Sequence, residues 1–86
     1  MYQIRIKKSV LKQLEILHPQ DQKRLKQAIL ALGDDPDGVQ LDVVMLVNVA
    51  SGYRLRVGKV RVLFVMDMVQ AVIDIYRVGY RGDVYK

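Results

Sequence analysis

The stretch YRLRVGKVRVLFVMD, from Tyr53 to Asp67, constrains the fold more than any other part of this chain. Its first half alternates arginines with apolar side chains, the period-two pattern of a strand that faces a core on one side only. Gly58-Lys59 interrupts the pattern with the two residues that a tight hairpin turn needs. A further strand-like run, AVIDIYRV, follows the connection Met68-Val69-Gln70. A three-stranded antiparallel meander is therefore expected, with one apolar face that needs a cover.

The N-terminal half supplies that cover. YQIRI (Tyr2 to Ile6) reads as a first strand. SVLKQLEIL then places Val10, Leu11, Leu14 and Leu17 on one helical stripe, with Ser9 as N-cap. His18-Pro19 ends that helix, and Pro19 suits the first turn of a second one. There Leu25, Ala28, Ile29 and Leu32 form the apolar stripe, Lys23, Arg24 and Lys26 lie away from it, and Gly33 is the expected C-cap. DDPDG is a turn-rich loop, and Val43 to Val47 is a short strand or a loop packed on the core. Met66 is expected in the core. The predicted architecture is α+β in a single domain, 1–86: N-terminal strand, helical hairpin, then the meander, with the helices packed on one face of the sheet.

Composition removes most chemistries. About half of the 86 residues are apolar, enough for one core. Cysteine is absent, which excludes disulfides and thiolate zinc sites. No run is apolar for long enough to span a bilayer, and charges interrupt MYQIRIKKSV where a signal peptide needs an apolar stretch. The expectation is a cytoplasmic protein that does not engage membranes. Glu15 is the one glutamate and His18 the one histidine, so paired-glutamate and Ser-His-Asp catalysis are out. His18 reads as a surface or capping residue. Asp34, Asp35 and Asp37 lack the spacing of a calcium loop, and Gly79 and Gly82 lack the context of a phosphate loop. No metal or cofactor is expected.

The net charge is +5, and its distribution is uneven. Seven Lys/Arg lie in residues 1–33 and seven in 54–86, around a segment 34–53 that carries four aspartates and no base. Such basic surface attracts polyanions. Arg54 and Arg56 are two apart and share a strand face, which Arg61 joins from across the turn. Arg77 and Arg81 come from the last strand and its tail, and Tyr85 is placed to fold back over the same surface. Clustered guanidiniums grip phosphate bidentately, and a tyrosine among them stacks on a base or handles a proton.

These residues resemble a known family. The first strand, the helical hairpin, GYRLRVGKVRVLF and the closing YRVGYRGDVYK are together similar to the RelE/ParE superfamily of type II toxin–antitoxin toxins, in its RelE-like branch. The resemblance implies a RelE-like fold and a ribosome-dependent mRNA endoribonuclease, an mRNA interferase. The ribose 2′-OH attacks the adjacent phosphate, and no cofactor takes part. It implies a cognate antitoxin protein in a heterotetramer or larger complex, with ribosome-bound mRNA and rRNA as further partners. Carried onto this chain, the catalytic set is Arg54, Arg56, Arg61, Arg81 and Tyr85, with Lys59, Arg77 and Tyr80 as RNA-binding residues. Arg61 and Arg81 fall to the scissile phosphate, Arg54 and Arg56 to the RNA backbone, and Tyr85 to base stacking or proton transfer. Arginine stands at 54 and 56 where the best-known sites carry lysine, and it is a poor general base. Tyr80 stands where relatives often carry histidine or lysine, and the apolar 43–47 run replaces a lysine-rich segment. That run is expected to pack on the sheet or against the antitoxin. Two alternatives remain: a ParE-like inhibitor of DNA gyrase, and a catalytically degenerate toxin that only binds its antitoxin.

Overall fold

The structure, a computed structural model, describes residues 1–84. Five strands and two helices follow in the order β1 (Gln3–Ile6), α1 (Lys8–Ile16), α2 (Pro19–Asp34), β2 (Asp42–Met45), β3 (Gly52–Val57), β4 (Val60–Asp67) and β5 (Val72–Tyr80). The expected meander is β3-β4-β5, turning at Gly58, whose φ of 59° is the left-handed geometry that a tight turn asks of a glycine. The sheet is wider than the meander, with strand order β1-β5-β4-β3-β2. β1 runs parallel to β5, with Gln3 opposite Val72 and Ile6 opposite Ile75, while every other pair is antiparallel. The ambiguous apolar run supplies β2, an edge strand in which Val43 packs on the core while Val44 and Met45 stay exposed.

One core joins the helices to one face of the sheet. Val10, Leu17, Leu25, Ile29 and Leu32 meet Leu55, Val60, Val62, Phe64, Met66, Ile73, Ile75 and Val78. Phe64 is fully buried and stacks on Tyr53 with ring centroids 5.6 Å apart. Met66 lies in the core as expected, whereas Met68, in the β4–β5 turn, is exposed.

Three local expectations need correction. Ser9 is not the cap of α1: Lys7 is, its carbonyl accepting from the N–H groups of Val10 and Leu11, so Ser9 sits within the first turn. Leu11 is about half exposed, because the short helix turns only Val10 and Leu14 with Leu17 toward the sheet. Gly33 does not end α2, which runs on to Asp34. Its service is close approach: the carbonyl of Gly33 accepts from Tyr2 N–H at 2.7 Å, and a Cβ there would stand 3.3 Å from Ile4. Among the described residues, no helix is long and apolar enough to cross a membrane.

One irregularity decides what β5 presents. Leu63 pairs with Arg77 but the next residue, Phe64, pairs with Ile75, which leaves Tyr76 as an extra residue on β5. The bulge shifts the alternation by one. Before it Ile73 and Ile75 face the core; after it Val78 and Tyr80 do. Arg77 and Gly79 are thereby turned from the core to the open face, where both also border the recess beside α1.

Candidate phosphate-binding site

The open face carries a row of charge set by strand register. Asp42 on β2 is opposite Arg56 on β3, Arg56 is opposite Arg61 on β4, and Arg61 is opposite Gly79 on β5. Arg54 lies two residues away on the same face of β3, opposite Leu63. The tail closes the arrangement. After β5 the chain turns, with Asp83 and Val84 N–H groups donating to the Tyr80 carbonyl at 2.8 and 3.2 Å. Val84 is buried against Gly79, where an added Cβ would stand 3.7 Å from it. The Arg81 N–H donates to the Lys59 carbonyl at 2.9 Å, which ties the tail to the β3–β4 turn. Arg54, Arg56, Arg61 and Arg81 then line one recess of about 250 Å³.

The four guanidiniums are held differently. Arg61 is 8% exposed, and its Nη1 donates to the carbonyls of Gly58 at 2.7 Å and Val60 at 3.1 Å. The Arg56 Nε pairs with an Asp42 carboxylate oxygen. The Arg54 Nε is buried with no hydrogen-bond partner among the described residues. A buried donor without a partner is costly, and an incoming anionic oxygen relieves that cost. Permanent positive charge around a polar cavity, with forked donors and one unmatched N–H, suits a phosphate group. Arginine side chains carry donors and no acceptor, so the set supplies positive charge and hydrogen bonds but no general base.

Of the other sequence-predicted residues, Lys59, Arg77 and Tyr80 do not line this recess. Lys59 is exposed on the turn and contributes its carbonyl to Arg81. Arg77 lines a separate recess of about 200 Å³ with Gln13, Ile16 and Val84, beside the edge of β5, where Gln13 Oε1 accepts from the Val78 N–H. Tyr80 faces the helices. Its hydroxyl accepts from the His18 backbone N–H at 2.9 Å and donates to Asp21 Oδ2 at 2.8 Å, stitching the start of α2 to the end of β5. Tyr85 lies outside the described residues. His18 is the N-cap of α2 through its backbone, without a side-chain cap bond. Asp42 is the contributor that sequence reasoning passed over; it was counted with the acidic loop, and only the β2–β3 register reveals its partner. Among the described residues, no three His, Asp or Glu side chains gather as a metal site.

Tyr80 makes a separate prediction. The His18 N–H on its own lowers the phenol pKa, but Asp21, by hydrogen bond and charge, together with desolvation, leaves it above the ordinary tyrosine value. An unfolded chain ionises this phenol first, so its contribution is intact below the ordinary tyrosine pKa and is lost as pH rises through the folded value. Tyr80→Phe is expected to lower the melting temperature at neutral pH by about 5 °C. It should also reduce the alkaline loss of stability. Thermal scans at neutral and alkaline pH check both.

On the helix side lies a different surface: an apolar groove of about 670 Å³ floored by Ile4, Ile6, Leu14, Leu25 and Ile29, with Lys23 and Lys26 at its margin. It offers no guanidinium cluster and has no part in the phosphate recess.

No protein-family model matches the chain. The chain is 33% identical over 86 residues to RelE1, a candidate toxin of Methanocaldococcus jannaschii, covering 99% of this chain and 96% of that protein. In fold it is similar to the RelE of the archaeal RelE–RelB complex from Pyrococcus horikoshii, with a TM-score of 0.82 and 28% identity over 96% of this chain and 98% of that one. The RelB–RelE antitoxin–toxin complex from Methanococcus jannaschii contains a chain that superposes with a TM-score of 0.80 at 23% identity, covering 94% of each.

Proposed function

We propose that this chain, which belongs to the RelE superfamily of toxins, is a ribosome-dependent mRNA endoribonuclease held in check by an antitoxin in the cytoplasm. The observation that carries the reading is the recess of Arg54, Arg56, Arg61 and Arg81, with its unmatched Arg54 Nε. In the reaction the ribose 2′-OH forms a bond to the adjacent phosphorus while the bond to the 5′-oxygen of the next nucleotide breaks. The products are a 2′,3′-cyclic phosphate and a 5′-hydroxyl, the proton lost from the 2′-OH being balanced by one gained at the leaving 5′-oxygen. Negative charge builds on the phosphoryl oxygens, and fixed guanidiniums stabilise it without reorganising. Arg61, locked to two carbonyls, and Arg81, delivered by the tail, take the phosphate; Arg54 and Arg56 hold the RNA backbone on either side.

Arginine does not accept the 2′-OH proton at physiological pH. That task falls to Tyr85 or to groups of the ribosome, which fits a nuclease that works only on ribosome-bound message. Lys59 and Arg77, flanking the recess on the turn and on β5, extend the basic surface toward mRNA and rRNA. Tyr80 supports this surface from beneath, through its bonds to α2, rather than by touching RNA. The antitoxin belongs to the same reading. The Pyrococcus horikoshii relative was solved together with its RelB, and this chain leaves Val44, Met45 and Val47 exposed for a partner to cover.

The test is inducible expression with primer extension on a reporter mRNA. Growth arrest with cuts in translated message is the expected result. Arrest with intact message and accumulated gyrase–DNA cleavage complexes would replace this reading with gyrase poisoning. Absence of any arrest would leave a protein that only binds its antitoxin. In a purified system, cleavage should weaken steeply as salt rises, because phosphate contacts release counterions.

A further inference from the structure

We propose that Asp42 is a positioning residue of the arginine recess, aiming Arg56 at the phosphate. The inference rests on the nuclease reading above and adds a residue to it. Asp42 stands at the start of β2, directly opposite Arg56, in the row that continues to Arg61 and Gly79. Its carboxylate holds the Arg56 Nε. The Arg56 side chain is 54% exposed, and among the described residues Asp42 is its ion-pair partner.

The need for such a hold is electrostatic. Arg56 shares its sheet face with Arg54 and Arg61, and Arg81 comes over from the tail. Like charges gathered in one recess repel, and the half-exposed member escapes toward water most easily. Arg61 cannot leave, because it is buried and bound to the Gly58 and Val60 carbonyls. Among the described residues, no carbonyl holds Arg56. A carboxylate on the neighbouring strand counters the repulsion and anchors the guanidinium at its Nε, which leaves the rest of the fork to a ligand. The contrast is Arg5, whose Nε and Nη2 both bond Asp74 at 2.9 and 3.3 Å. That pair joins β1 to β5 with both arms of the fork occupied, and neither residue lines the recess.

The same carboxylate subtracts one charge from a site that attracts anions. Its removal should therefore have opposite effects on binding and on chemistry. A recess with one more net positive charge holds RNA more tightly, while an untethered Arg56 meets the transition state less often.

The experiment compares the full-length chain with Asp42→Asn, Asp42→Ala and Asp42→Glu on ribosomes programmed with a reporter mRNA, and records the Arg Nε–Hε NMR signals of each free protein with and without inorganic phosphate. For Asp42→Asn and Asp42→Ala, kcat should fall about tenfold and KM should drop about twofold, with Asp42→Glu recovering most of kcat. The Arg56 Nε–Hε signal should be sharp in the wild type and in Asp42→Glu, and broadened or shifted in the other two. A wild-type kcat in Asp42→Asn, or an Arg56 signal superimposable on the wild type, overturns the proposal. If the wild type does not cleave at all, the nuclease reading fails by itself. The NMR arm then still decides on Asp42: phosphate must perturb the Arg56 signal in the wild type and find it already displaced in Asp42→Asn, and any other pattern overturns the assignment.

Discussion

Arg81→Ala should lower mRNA cleavage by about a hundredfold to a thousandfold, the loss typical of removing one preorganised donor from a developing oxyanion. It should do so with the melting temperature close to that of the wild type. The side chain of Arg81 is exposed, and its structural tie is the backbone N–H bond to Lys59, which alanine retains. Truncation thus removes a guanidinium from the recess and leaves the tail in place. Arg61→Ala is a less clean experiment. It removes the bonds to Gly58 and Val60 and opens a hole in a buried position, so lost activity and lost stability arrive together. Arg81→Lys separates charge from geometry: it keeps the cation and loses the fork, and should recover only part of the rate. Reporter cleavage and thermal melting of the three variants make the check. Full cleavage by Arg81→Ala would remove the tail from the proposed mechanism.

The residues that carry the proposal were legible where local pattern alone decides the structure. Alternation in Tyr53–Val57 and a two-residue turn suffice to put Arg54, Arg56 and Arg61 on one face, and the register confirms it. The helical hairpin followed from its apolar spacing and from Pro19 in the same way. What escaped depends on partners far along the chain. That β1 lies parallel beside β5 is decided across some seventy residues, since Arg5 and Asp74 have no local signal for each other. The bulge at Tyr76 is hidden in a plausible strand. Its trace is the change of phase from Ile73 and Ile75 to Val78 and Tyr80, which is visible only when the buried face is known. This single extra residue separates the roles of neighbours: it turns Tyr80 to the helices and Gly79 to the arginines. Asp42 was missed for the related reason that an aspartate beside a turn-rich acidic loop looks like solvation until β2 is paired.

Val84→Asp tests whether the position of Arg81 matters as much as its presence. Val84 is 1% exposed and seals the tail against Gly79 on the open face, outside the main core. A carboxylate in that place would lose its hydration without gaining a partner, at a cost of several kcal/mol. The sheet need not bear that cost, because the tail can lift away and return the carboxylate to water. The helix-side core is untouched by such a movement, so the domain should stay folded with a melting temperature lower by about 5 °C at most. Cleavage should nonetheless fall at least to the level of Arg81→Ala, since an undocked tail withdraws the guanidinium from the recess. Tryptic cleavage after Arg81 should speed up in Val84→Asp, reporting the detached segment directly. The double variant Arg81→Ala with Val84→Asp completes the cycle. Val84→Asp already removes what Arg81→Ala removes, so the two do not add and the double variant's rate should match that of Val84→Asp. A rate below that of Arg81→Ala in both Val84→Asp and the double variant would mean that the docked tail supplies the reaction with more than Arg81.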